Sequence, residues 1–184
     1  QFETAGATLD PGAVETLLQK KEIRYLSEVM NFPGVINGDA DVMAKIALAK
    51  KYKKPVDGHA PGLGGAGLEK YISAEISTDH ESFTYDEAKE KLSFGMNILV
   101  REGSAAKNFN ALGPLIPQYP SQCMFCCDDL HPDDLARGHI DLLVKRAFAM
   151  GIDFMTVLRC ACLNPVLHYD LDVGLLRAGD DADL

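Results

Sequence analysis

Short apolar, extended-looking segments alternate along this chain with helix-like stretches, and four of those segments end on a side chain able to ligate a metal. IRYLSEVM carries Glu28, KPVDGHAPG carries His59, ISTDHES carries His80 and QCMFCCDDLHPDD carries Asp128. Strand followed by helix, repeated, is the signature of a parallel sheet, because parallel strands need a crossover connection and a helix supplies it. In a (β/α) barrel all strand C-termini open on one face, so residues far apart in sequence converge there. The predicted fold class is therefore α/β, a partial (β/α) TIM-like barrel. Carboxylate and imidazole together form a ligand set that suits zinc, iron or manganese better than calcium or magnesium.

Size limits how much of a barrel is present. A closed eight-unit barrel takes about 250 residues, whereas this chain has 184 and its pattern holds roughly five strand–helix units. Its 47% hydrophobic and 24% charged content is that of one well-buried globular unit. The net charge of -9 leaves no extended basic face, which excludes polymeric nucleic acid as a partner. Lys50, Lys51, Lys53 and Lys54 form a brief run at a predicted helix end, where cations complement the helix dipole. No stretch approaches the ~18 apolar residues of a membrane span, and Gln1-Phe2-Glu3-Thr4 does not begin a signal peptide. A cytoplasmic protein without a membrane partner is expected.

Asp10-Pro11-Gly12 starts a helix running to about Lys20, Ile23 to Met30 reads as a strand, and Asn31-Phe32-Pro33-Gly34 breaks it. Asp39 caps a helix through about Lys51. Pro61 to Gly67 is glycine-rich but lacks a phosphate-binding fingerprint, and it reads either as a flexible active-site loop or as plain turn chemistry. Further strands are expected at Ile76–Asp79, Asn97–Arg101 and Cys123–Cys127, with helices at Tyr85–Phe94 and Ile140–Met150 and a last helix, from Phe154, that stops at Asn164-Pro165. Residues 1–164 are assigned to the barrel, and 165–184 to the start of a flanking β-sandwich, with a hairpin near Val173. Cys123 and Cys126 have C-x-x-C spacing but lie on a predicted strand, where they point to opposite faces as small core residues. Reduced thiols are expected for all five cysteines.

Each site residue taken singly has an ordinary structural explanation: a hydrogen-bonded histidine, a helix cap, a rim ion pair. Their joint occurrence at successive strand ends is what points to a metal site. Arg101 and Glu102 end another strand, where Arg101 either orients a polar substrate or makes a rim salt bridge. His131 lies close enough to that mouth to contact substrate, and His139 is read as a helix N-terminal residue.

The strings Leu26-Ser-Glu-Val-Met-Asn-Phe-Pro-Gly-Val35, Asp57-Gly-His-Ala-Pro-Gly62, Thr78-Asp-His-Glu81, Arg101-Glu-Gly-Ser-Ala-Ala-Lys-Asn108, Asp128-Asp-Leu-His-Pro-Asp-Asp134 and Gly138-His-Ile-Asp141 resemble bacterial adenine deaminases of the amidohydrolase superfamily. The resemblance spans essentially the whole chain. It implies hydrolysis of adenine to hypoxanthine and ammonia in purine salvage, on a binuclear divalent centre of manganese, iron or zinc in a distorted barrel. Carried over by position, Glu28 resembles the carboxylate bridging the metals, His59 and His80 the histidine ligands of two successive strands, and Asp128 the aspartate that both ligates metal and moves the proton. Asp129 and His131, with Arg101 and Glu102, resemble substrate-side residues. The family carries Gly where Ser27 and Glu75 stand, and Thr where Cys127 stands. Its first strand also brings a His-x-His pair, which occurs nowhere in this chain. The expectation is a chain representing barrel strands four to eight, with little activity by itself and a tendency to self-associate through uncovered barrel edges. Other readings are a different cyclic amidine or amide hydrolase, and an inactive remnant or assembly subunit. Metal content separates the enzyme readings from the remnant.

Overall fold

A computed structural model describes residues 5–183. Gln1–Thr4, where no leader pattern is read, and Leu184 lie outside the described residues. The chain divides into two compact units, one ending at Ile98 and the other beginning at Leu99.

In the first unit, strand and helix alternate as the pattern predicts. Helix α1 (Pro11–Leu18) is capped by Asp10, whose side chain accepts the Ala13 N–H, with proline in its first turn. Strand β1 (Leu26–Val29) follows, and then, where the sequence predicts a break, a helix forms: α2 (Phe32–Asn37). Asn31 caps it through the Gly34 N–H, and Pro33 sits in the first turn, where a missing N–H costs nothing. Helix α3 (Ala40–Lys51), strand β2 (Val56–Gly58), helix α4 (Gly65–Ser73), strand β3 (Thr78–Asp79), helix α5 (Tyr85–Ser93) and the start of strand β4 (Asn97–Arg101) complete the series. β1 runs parallel to β2, a parallel bridge joins Val56 to Ile76, and β3 pairs parallel with β4 through Thr78–Asn97 and Asp79–Ile98. Consecutive strands are thus neighbours and parallel, each returned by helix. Ile46, Val56, Leu68, Tyr71 and Ile76 are fully buried between strands and helices.

Two departures from the helix pattern have local causes. The lysine run does more than meet a dipole: Lys50 pairs with Glu75 at 2.8 Å, Lys51 with Glu15 at 2.6 Å, and Lys54 Nζ donates to the carbonyls of Leu18 and Lys20. Glu75 itself adopts φ 67°, the left-handed region that favours glycine, which gives a physical reason for the glycine expected at this position.

In the second unit, β4 leads through a tight loop to α6 (Phe109–Leu112), which a 3-10 turn at Gly113–Leu115 extends. Strand β5 (Cys123–Cys126) lies beside β4, and Glu102 N–H bonds the Cys126 carbonyl at 3.2 Å. Then come α7 (Pro132–Leu135), α8 (Ile140–Ala149), α9 (Phe154–Leu158), one wide π turn over Arg159–Leu163, and α10 (Asn164–Tyr169). The helix predicted to stop at Asn164-Pro165 therefore continues. Asn164 keeps helical φ and ψ despite the following proline because its buried Nδ2 donates to the Pro120 and Cys123 carbonyls, each at 2.7 Å. Among the described residues beyond Tyr169 there is no strand, so the expected hairpin near Val173 is not formed within this stretch. Cys123 and Cys160 are buried, and burial pushes both thiols up to about 12, which keeps them protonated core residues. Among the described residues no helix is long and apolar enough to cross a membrane.

Candidate metal centre

Three of the four predicted ligands come together within the first unit. Glu28 lies on β1, His59 directly follows β2 and His80 directly follows β3, so each is delivered at the C-terminal end of one of three successive strands. Glu28 Oε2 is 2.9 Å from His59 Nδ1 and 2.9 Å from His80 Nε2, and the two ring nitrogens are 3.4 Å apart with the rings edge to face. The hydrogen bond from His80 is the largest influence on Glu28; His59 adds to it, partial burial opposes it, and the carboxyl is held at about 2.

The surroundings fix these side chains by named contacts. The Tyr71 hydroxyl, fully buried, donates to the Val29 carbonyl at 2.9 Å and accepts the His59 N–H at 3.0 Å, tying β1 to the end of β2. Burial pushes its phenol above the ordinary range, so it remains a neutral donor. Gly58 lets β2 approach β3, since a Cβ there would stand 2.2 Å from the Thr78 carbonyl oxygen. Asp79, beside His80, accepts the Ala60 N–H at 2.9 Å on one oxygen, and the Ser82 hydroxyl and Lys91 ammonium on the other. Lys91 also donates to the Ala60 carbonyl at 2.7 Å and to Glu87 at 2.8 Å. Burial alone would raise the Asp79 carboxyl, but Lys91, Ser82 and the Ala60 N–H outweigh it and leave it below its ordinary value. Both histidines therefore adjoin residues held by one buried ammonium. The glycine-rich segment is held as well: Glu87 accepts the Gly62 N–H, Glu90 accepts the Gly65 N–H, and residues 65–67 form the first turn of α4.

The second unit holds the other predicted residues. Asp128 follows Cys127 just past β5 with φ 49°, and its carboxylate is paired with the buried Arg101 guanidinium. Arg101 is thus an aspartate-binding residue, its N–H also donating to Asn108 Oδ1 at 2.7 Å. Glu102 pairs with Arg146 at 2.8 Å, and Arg146 lies over the Phe109 ring. The Asp129 carbonyl accepts the Ser104 N–H and the His131 N–H donates to Ser104 Oγ, so the loops after β4 and β5 are pinned together. Gly103 permits that approach, because a Cβ there would stand 2.8 Å from the Cys127 carbonyl oxygen. Glu102 and His139 both line a cavity of about 250 Å³ together with Lys107, Arg137 and Arg146. His139 offers no side-chain cap to α8 and donates only its backbone N–H, to Asp141.

One neighbour of the three ligands is not predicted from the sequence. The Glu81 carboxylate, buried, reaches to 3.7 Å from His59 Nδ1 and 3.6 Å from His80 Nε2. The signal was available in the adjacent pair His80-Glu81, but on a regular strand neighbours point to opposite faces; here the chain leaves β3 at Asp79 and bends at His80.

The donor set fits a divalent transition ion. Metal–nitrogen bonds of about 2.0–2.1 Å at a tetrahedral angle require nitrogens about 3.3 Å apart, and the imidazole nitrogens stand 3.4 Å apart. Glu28, His59 and His80 together offer three ligand atoms within 4.8 Å of one another.

Two imidazoles and a carboxylate gathered at the ends of parallel strands form a group able to hold a metal ion. The chain belongs to the amidohydrolase family, whose profile matches residues 1–184. It is 66% identical over 182 residues to an adenine deaminase of Sulfurovum sp. (strain NBC37-1), covering 99% of this chain and 34% of that protein. It is 57% identical over 183 residues to an adenine deaminase of Methanosarcina barkeri, and 54% identical over 187 residues to one of Borreliella burgdorferi, covering 33% and 34% of those proteins. The chain thus spans about a third of the length of these relatives.

Proposed function

We propose that this chain supplies part of the catalytic barrel of an adenine deaminase, hydrolysing adenine to hypoxanthine and ammonia in purine salvage. The observation that carries this reading is the convergence of Glu28, His59 and His80 at successive strand ends in a chain 66% identical to a relative named for that activity. Glu28, His59 and His80 hold a divalent metal centre of manganese, iron or zinc, binuclear in the complete enzyme. The bound ion supplies water acidic enough to attack at neutral pH. Asp128 is assigned the proton transfer: with Oδ2 held by Arg101, Oδ1 accepts the proton of the attacking water and returns it to the departing amine nitrogen. Arg101 aims that carboxylate. Asp129, His131 and Glu102 are placed on the substrate side as polar contacts for the purine. A cytoplasmic location and self-association belong to the same proposal.

The test is a chimera in which this chain replaces the matching third of the Sulfurovum relative. Hypoxanthine and ammonia formed from adenine, with loss of activity in Asp128→Asn and His59→Ala, is the expected result. A folded, metal-loaded chimera that leaves adenine untouched but hydrolyses another cyclic amidine would overturn the substrate assignment.

A further inference from the structure

Asp128 carries its carboxylate on a backbone with φ 49°, a left-handed conformation that costs any residue with a side chain and relaxes unless its neighbours are fixed. The loop after β4 fixes them on both sides. Before Asp128, the Glu102 N–H holds the Cys126 carbonyl at 3.2 Å; after it, the Ser104 N–H holds the Asp129 carbonyl at 2.9 Å. That loop is itself closed, since the Gly103 N–H bonds the Ala106 carbonyl and the Asn108 N–H the Arg101 carbonyl, each at 2.9 Å. Ser104 therefore reaches the segment after β5 from a fixed base.

The Ser104 hydroxyl adds two more bonds to that segment. It accepts the His131 N–H at 2.8 Å and donates to Asp134 Oδ2 at 2.6 Å. His131 stands just ahead of α7 without capping it by its side chain, and Asp134 is the third residue of that helix. In a capping box an acid at this position reaches back to the N–H ahead of the helix; here a hydroxyl from another loop stands between the two. Its bond to the carboxylate is charge-assisted. It is also the largest influence holding the Asp134 carboxyl below its ordinary value, against opposing desolvation, with Arg137, Lys107 and His131 adding to it. A hydroxyl donates and accepts at once, whereas a methyl group does neither.

We propose that Ser104 is the positioning residue for Asp128: its three bonds to Asp129, His131 and Asp134 hold the segment after β5 so that Asp128 keeps the backbone that presents its carboxylate to Arg101. Ser104 touches neither substrate nor metal in this role and acts only through Asp128. The assignment rests on the reading of Asp128 as the proton-transfer group of an adenine deaminase.

The test is steady-state kinetics with adenine on the metal-loaded chimera described above. Ser104→Ala should lower kcat by about 10- to 100-fold, the scale of an ångström-sized misplacement of a reacting group, while KM changes little. Ser104→Thr, which keeps a hydroxyl, should restore most of kcat. The exposed Ser121→Ala serves as control and should behave as wild type. An inactive wild-type chimera overturns the adenine deaminase reading and this role with it. An active chimera in which Ser104→Ala leaves kcat unchanged, or in which Ser104→Thr recovers nothing, overturns the Ser104 assignment alone. If Ser104→Ala lacks the wild-type far-UV circular dichroism, Asp134→Ala decides, because it removes only the acceptor of the hydroxyl: kcat must fall with KM little changed, and an unchanged kcat contradicts the proposal.

Discussion

Glu28 is the residue on which most of the site's electrostatics falls. Its carboxyl titrates at about 2 in the folded chain against an ordinary 4.5, chiefly through the hydrogen bond from His80. A folded value below the unfolded one means stability that is fully present above pH 4.5 and fades as the pH falls toward 2. In metal-free buffer Glu28→Gln should therefore be less stable than wild type at neutral pH, and urea denaturation should show the gap narrowing on acidification. Because the side chain is 38% exposed, solvent screening keeps the difference modest. A gap that widens toward acid would contradict this. Glu75 offers a second single-residue case. Its φ of 67° strains any side chain, while its surface pair with Lys50 contributes little, so Glu75→Gly is expected to stabilise the chain by about 0.5 kcal/mol, read as a raised urea midpoint.

Helix α5 hides a buried charge behind a polar sequence pattern. Its residues YDEAKEKLS look like a solvated helix, and the sequence predicts it over Tyr85–Phe94 against Tyr85–Ser93 observed, yet Lys91 is fully buried against Asp79. No periodicity announces an ammonium that turns inward to meet a carboxylate on another element. Lys91→Met should destabilise the chain by about 3–5 kcal/mol by leaving Asp79 buried without its cation, and Asp79→Asn added to it should recover part of that loss; equal losses for single and double variants in denaturant titrations would contradict the pairing. The missed α2 and the unbroken passage into α10 have the same kind of cause. Proline in the sequence predicts a stop, whereas the Asn31 cap and the two bonds of Asn164 decide the backbone locally. Strand β4, by contrast, is legible to the residue, because Ile98-Leu99-Val100 is an apolar run between Gly95 and Gly103.

Across the molecule, the alternation of strand and helix and the polar residue at each strand end were enough to bring Glu28, His59 and His80 together in advance. What the sequence could not carry was the partner of each residue: Arg101 for Asp128, Arg146 for Glu102, and the inward turn of Glu81. The second unit exposes Met155, Leu167 and Leu176, at 68%, 62% and 81% of their surface. Sedimentation velocity should accordingly show association that grows with concentration; a monomer throughout would contradict it. The central claim, that two imidazoles and a carboxylate form a metal centre, is tested most directly by anomalous diffraction from crystals grown with Mn²⁺ or Co²⁺. An anomalous peak between Glu28, His59 and His80 is the predicted result, and ions found only elsewhere, or nowhere, would contradict the account.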